Sequence, residues 1–168
     1  MVKGGNLEYL HDLFDRYNKR IFNYFLKSTL HRGDSEDLAQ DLFIRVMKYR
    51  NSYREGNAFE VWIFQIARNM VKDHFRKMRI HKDHFSVVEE MPELLEKKDD
   101  SLEREKQLYD AMNSLPEEKR ELLVLTKFSG MKYEQVAEMK NTTVGNIKVQ
   151  VHRTIKELKD IYFTVEEE

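Results

Sequence analysis

Asn146, Lys148, Val149, His152, Arg153 and Lys156 recur at intervals of three and four, so a helix spanning them would gather cationic and amide donors around one apolar side chain. Lys and Arg pair with guanine edges or phosphates, Asn with adenine, and an apolar group meets a thymine methyl, so such a face has the chemistry to read a major groove. The competing reading is a solvated amphipathic helix in a bundle. Against it, the acidic residues of this stretch are held back to Glu157 and Asp160.

A second cationic run, Arg68, Lys72, Arg76, Lys77, Arg79 and Lys82, follows an aromatic stretch containing Phe59 and Trp62. Arg68, Lys72, Arg76 and Arg79 are spaced to share one broad helical face. Basic residues beside a polar loop suit melted nucleic acid, which offers phosphates to cations and exposed bases to pockets. Trp62 itself reads as core, because a lone tryptophan on an apolar stripe packs more often than it stacks on a base. His74, His81 and His84 match neither usual helical zinc spacing, and no zinc-protease carboxylate accompanies them. There is no phosphate-cradling glycine loop, nucleophile elbow or isolated acid-base pair. The absence of cysteine excludes disulfides, zinc thiolates and thiol nucleophiles. The expectation is a non-enzyme with no metal and no cofactor.

The formal net charge of −1 would by itself argue against a polyanionic partner, but the charge is segregated along the chain. The basic run ends where Glu89, Glu90, Glu93, Glu96, Asp99, Asp100, Glu103 and Glu105 begin. No stretch approaches the roughly 20 apolar residues that span a bilayer, and the residues from Met1 to Asn6 lack a signal-peptide apolar core. A cytoplasmic protein without direct membrane insertion is expected.

The elements that must position these residues read as helices throughout, since apolar residues recur at three-to-four spacing with no sustained alternation. Leu7, Leu10, Phe14, Tyr17, Ile21, Tyr24 and Phe25 mark the first helix. Asp34 or Ser35 is expected to cap a second, with Leu38, Leu42, Phe43, Val46 and Met47 toward a core. After a polar loop from Arg50 to Asn57, a third helix presents Phe59, Trp62, Ile63, Ile66, Ala67 and Met70 before running into the basic block. Between about Phe85 and Asp100 the sequence turns acidic, carries Pro92 and loses its period, as a tether does. Beyond it, Leu102, Leu108, Ala111, Met112 and Leu115 precede Pro116, and Leu122, Leu123, Leu125 and Phe128 precede Gly130. Tyr133 to Met139, a polar turn over Lys140 to Thr143, and a helix from Val144 with Ile147, Val151, Ile155 and Leu158 inward then form a helix-turn-helix. Thr142 or Thr143 is placed to cap its second helix. The predicted fold is all-α: two small helical domains on a flexible linker, the C-terminal one holding the helix-turn-helix.

At this point the sequence resembles a known family. Asp34-Ser-Glu-Asp-Leu-Ala-Gln-Asp-Leu-Phe-Ile-Arg-Val46 and Phe59-Glu-Val-Trp-Ile-Phe-Gln-Ile-Ala-Arg-Asn69 look like region 2 of extracytoplasmic-function sigma factors, the initiation factors of bacterial RNA polymerase. Leu115-Pro-Glu-Glu-Lys-Arg120, Gly130-Met-Lys-Tyr-Glu-Gln-Val-Ala137 and Val144-Gly-Asn-Ile-Lys-Val-Gln-Val-His-Arg153 are similar to region 4. The resemblance implies a region 2 domain over residues 1–85, an acidic linker over 86–100 and a region 4 domain over 101–168. It implies that Asp37, Gln40, Asp41 and Phe43 dock on the clamp helices of the polymerase beta-prime subunit. Asn51, Ser52, Tyr53 and Asn57, with Arg68, Asn69, Lys72 and Arg76, would hold the opened minus-ten element, and Asn146, Lys148, Val149, His152, Arg153 and Lys156 would face the minus-thirty-five element. The beta flap and an anti-sigma protein are the further partners implied.

Two departures stand out. Lys132 occupies a position where the family usually has a Ser or Thr cap, and Val149 with Gln150 replaces a commoner Ser-Arg pair. The alternative reading is a stand-alone helix-turn-helix regulator that does not bind polymerase, which would expect a dimer and a palindromic site. That reading gives the Asp34 to Val46 block no role.

Overall fold

Apolar spacing builds the helices of this protein, and a few left-handed or polar positions decide where each one stops. The computed structural model describes residues 7–54, 56, 58–82 and 100–164. Among these, the long elements are α1 (Leu7–Thr29), α2 (Arg32–Tyr49), α3 (Phe59–Lys82), α4 (Asp100–Ser114), α5 (Glu117–Leu123), α6 (Tyr133–Met139) and α7 (Val144–Thr164), and no strand occurs. A 3-10 turn follows α2 at Arg50–Ser52, and a π-helical turn follows α5 at Val124–Phe128. The chain divides into two compact units, Met1–Met91 and Pro92–Glu168. The acidic stretch predicted as a tether falls, up to Asp99, outside the described residues, as do Asn57, His84 and the side chains of His81 and Lys82.

In the first unit, Leu30 ends α1 in the left-handed region at φ 58° and buries its side chain, turning the chain into α2. The cap of α2 differs from expectation. His31 takes the position, its Nδ1 accepting from the Asp34 N–H at 3.1 Å, so the helix starts earlier than Asp34 or Ser35 would allow. Ser35 is buried instead, donating to the His31 carbonyl at 2.6 Å with its hydroxyl 2.9 Å from that of Thr29. Asp34 reaches sideways, Oδ2 lying 3.3 Å from Nε2 of His74 on α3.

The core of this unit is Ile21, Tyr24 and Phe25 of α1, Leu42, Phe43 and Val46 of α2, and Ile63, Phe64, Ala67, Met70 and Val71 of α3. Tyr24 meets the Phe64 ring edge-on at 5.5 Å, the favourable geometry for a buried aromatic pair. Phe64 and Val71 were not in the predicted stripe. Both α1 and α2 pack on α3, so its buried arc is wider than one neighbour would require. Met47 and Phe14, expected inward, are both at least 40% exposed. Arg20 ties α1 to the start of α3 by an ion pair with Glu60, its guanidinium lying 5.5 Å from the Phe64 ring.

The second unit buries Ala111 and Met112 of α4, and Leu115 just beyond its end, against Leu122, Leu123, Val124 and Leu125, Met131, Val136 and Ala137, and Ile147 and Val151 of α7. Arg120 closes the α4 end by donating to the carbonyls of Asn113 and Leu115, at 3.1 and 3.3 Å. Its burial pulls the guanidinium pKa below the ordinary value. The π turn is closed by the Ser129 N–H on the Val124 carbonyl at 2.8 Å, and left-handed Gly130 (φ 68°) then redirects the chain into α6.

Candidate nucleic-acid interface

The helix-turn-helix is built by local hydrogen bonding. Lys132, at the N-cap of α6, lacks a capping hydroxyl, and Gln135 supplies the reciprocal half of a capping box by accepting from the Lys132 N–H at 2.9 Å. At the other end Asn141 adopts φ 50°, the Thr142 N–H bonds the Ala137 carbonyl at 2.9 Å and the Asn141 N–H bonds the Glu138 carbonyl at 3.1 Å. That is a Schellman ending with asparagine in the left-handed position where glycine is more usual. Thr143 then caps α7, its Oγ1 accepting from the Asn146 N–H at 3.1 Å. The half-buried ion pair of Lys140 with Glu121, at 2.6 Å, fixes the turn to α5.

Ile147, Val151 and Thr154 face the core of the second unit, whereas Ile155 and Leu158, expected inward, are only half-buried. Thr154 is accommodated because its hydroxyl donates to the Gln150 carbonyl at 2.8 Å. Asn146, Lys148, Val149, His152, Arg153 and Lys156 are all exposed, Val149 at 48%. Among the described residues no carboxylate pairs with Lys148, Arg153 or Lys156. These cations are held out to solvent uncompensated, which generates the local positive potential that net charge conceals.

In the first unit, Arg68, Asn69, Lys72, Arg76 and Arg79 fall within about 100° of one another on α3, opposite Ala67. Lys72 is exposed, while Arg76 is paired with Asp73 at 2.9 Å and Asn69 accepts from Gln65 at 3.2 Å. This face is therefore partly neutralised. Near its start, Tyr53, Phe59 and Trp62 form a cluster with ring centroids 5.4 to 5.7 Å apart. Trp62 is half-buried at the rim of the unit, where core had been expected. Asn51 and Ser52 are exposed in the 3-10 turn, and half-buried Tyr53 joins that turn to the aromatic cluster.

On α2, Asp37, Gln40 and Asp41 are exposed, in line with Ile44 at 64% and Met47 at 40%. Phe43 is the buried member of this set, as its inward spacing on α2 predicts. It is 8% exposed with its ring 4.9 Å from that of Phe14, so its side chain supports the surface from beneath and does not form part of it. Helical spacing points Met47 inward and leaves Ile44 unassigned, because three-to-four periodicity gives no sign of which apolar side chains a third helix will leave uncovered. Among the described residues no group of His, Cys, Asp or Glu side chains is arranged to hold a metal ion.

Two helical units, one bearing a helix-turn-helix with an uncompensated cationic face, define a DNA-binding transcription factor. The sigma-70 region 2 family matches residues 13–80 and the sigma-70 region 4 family residues 105–158. The extracytoplasmic-function RNA polymerase sigma factor ShbA of Streptomyces griseus is 33% identical over 172 residues, covering 92% of this chain and 88% of that relative. The chain belongs to the extracytoplasmic-function sigma factors of the sigma-70 family, initiation factors that bind core RNA polymerase and direct it to promoters. The RNA polymerase sigma factor CarQ of Myxococcus xanthus is 27% identical over 161 residues, covering 95% of this chain and 92% of its own length. The fold is shared with RpoE from Bartonella quintana, solved in complex with the anti-sigma factor NepR (TM-score 0.73, 22% identity, 92% of this chain and 97% of that one). It is shared also with CnrH, solved in complex with the cytosolic domain of CnrY (TM-score 0.75, 17% identity, 97% and 93%).

Proposed function

We propose that the two units divide promoter recognition between them, the first holding polymerase and the opened minus-ten strand and the second gripping the minus-thirty-five duplex. In residue terms, residues 1–85 act as the docking and melting domain, 86–100 as the tether and 101–168 as the duplex-binding domain. The observation that carries this reading is the cationic face of α7, exposed and without carboxylate partners on the second helix of a helix-turn-helix. Lys148, Arg153 and Lys156 take phosphates or guanine edges there, Asn146 and His152 donate to acceptors, and Val149 meets a thymine methyl.

On the first unit, Asp37, Gln40 and Asp41 with Ile44 and Met47 meet the beta-prime clamp helices, the apolar pair supplying contact area and the polar rim register. Asn51, Ser52, Tyr53 and Asn57 receive a base drawn from the opened minus-ten element, while Arg68, Asn69, Lys72 and Arg76 follow its backbone. Capture of an extruded base traps the opened duplex, converting binding into strand separation without fuel hydrolysis. A tether raises the effective concentration of each unit at its site, so neither needs high affinity alone. The beta flap and an anti-sigma protein complete the partners, the latter supported by the complexes in which both related structures were solved. Action on chromosomal promoters places the protein in the cytoplasm. No described helix is long and apolar enough to cross a membrane.

Run-off transcription with core polymerase on genomic promoter fragments tests the reading. Initiation that depends on this chain is expected, and its absence on every fragment would sink the proposal. Binding of a palindrome by a dimer without polymerase would favour the stand-alone regulator instead.

A further inference from the structure

Three side chains on the surface of the second unit form a directional relay of hydrogen bonds. Asn146 Nδ2 donates to Thr142 Oγ1 at 2.8 Å, and Gln150 Nε2 donates to Asn146 Oδ1 at 3.1 Å. Thr142 is the fixed end: its own N–H is bonded to the Ala137 carbonyl at 2.9 Å, in the turn set by left-handed Asn141. Asn146 and Gln150 are exposed, so burial does not explain their order. A free surface glutamine samples many rotamers, and the relay removes much of that freedom before any partner arrives.

The bonding leaves a defined set of groups unused. The Asn146 oxygen is occupied by Gln150 and one of its N–H groups by Thr142. Gln150 retains one N–H and its carbonyl oxygen, an adjacent donor and acceptor on one planar amide. That pair matches adenine, which presents the N7 acceptor beside the N6 amino donor in the major groove. Guanine presents acceptors at both places and would set its O6 against the glutamine oxygen. Gln150 stands one turn beyond Asn146 and three residues before Arg153, in a row along one flank of α7.

We infer that Gln150 reads a base, selecting adenine at one position of the duplex that α7 faces, and that Thr142 and Asn146 are positioning residues that fix its amide. This rests on the reading of α7 as the minus-thirty-five helix. It explains how the helix keeps specificity although Gln150 replaces an arginine common in the family, because a fixed neutral amide discriminates between bases where a mobile cation would also take phosphate.

The test is selection of DNA by the full chain bound to core polymerase, from promoters randomised across the upstream element, followed by sequencing. The wild-type chain is expected to prefer adenine at one position, and Gln150→Ala to reduce that preference about tenfold, within the range for one bidentate contact. Gln150→Glu is expected to move the preference at that position to cytosine. A carboxylate accepts from the cytosine amino group, and Asn146 can reverse its amide to donate to it while Thr142 donates back. Thr142→Val is expected to weaken the same preference severalfold and Thr142→Ser to keep it, whereas a residue that only packed the turn would leave base preference unmoved. Unchanged preferences in both Gln150 variants overturn the inference with the wider function intact. Failure of the wild-type complex to retain any library DNA overturns the reading of α7 itself, and this inference with it.

Discussion

α2 and α7 each give one face to a core and the other to solvent, but their solvent faces have opposite character. That of α2 sets Asp37 and Asp41 beside exposed Ile44 and Met47, and that of α7 sets Lys148, Arg153 and Lys156 around Val149. An apolar patch with an acidic rim gains from dehydration against a protein and repels phosphate. Uncompensated cations gain by releasing counterions from nucleic acid, and that gain falls with salt. The difference teaches that helix amphipathicity places a surface, while the residue types left outside choose the partner. The basic face of α3 lies between these extremes, since Arg76 already has Asp73 as a partner.

Disruption of the first unit separates the two most strongly. Phe64→Ala, which removes a fully buried ring from between α1 and α3, is expected to cost about 3–5 kcal/mol of stability. Thermal melting of the full chain, with a polymerase pull-down, should show the first unit and its docking lost together. Ile44→Asp leaves the fold intact and places a charge on the exposed apolar patch. It is expected to weaken polymerase binding by roughly 2 kcal/mol, about thirtyfold, without changing how DNA binding depends on salt.

Arg153→Ala tests the other face. Promoter affinity should fall about tenfold with polymerase affinity unchanged, and the slope of log affinity against log salt should drop by about one if the lost contact is to phosphate. Loss of polymerase binding instead would show the two faces to be misassigned.

The smallest effect concerns Tyr17, whose phenol is pushed above its ordinary 10.0 by burial first and by the Glu60 carboxylate second. A raised acid is neutral when folded, so its contribution is whole below the unfolded pKa and is lost as pH climbs through the folded one. Stability measured by denaturant should therefore fall above about pH 10. Tyr17→Phe should flatten that fall and leave the DNA-binding face untouched.

Much of this was legible in the sequence because helical spacing is a local property. The helix-turn-helix and the outward row from Asn146 to Lys156 follow from chain order alone, since a short helix pair leaves few ways to bury Val136, Ala137, Ile147 and Val151, whereas the choice of Thr143 over Thr142 as the cap came from the structure. The two units behave differently in this respect. The ends of α2 and the surface it offers were less legible, because capping by His31 needs its ring to fold back onto the Asp34 N–H, and Asp34 in turn is held by His74, forty residues away.

What the sequence determined by itself was periodicity: helices throughout, an acidic interruption, and two separate concentrations of cations. Only the tertiary structure decided which residues at the margins of each apolar stripe went inside. Met47 is exposed although its spacing points inward, Thr154 is buried and Ile155 only half so, and Phe64 is enclosed although the simplest stripe omits it. The physical reason is that burial belongs to pairs of helices and depends on how many neighbours share each arc, a quantity that no single stretch of sequence contains.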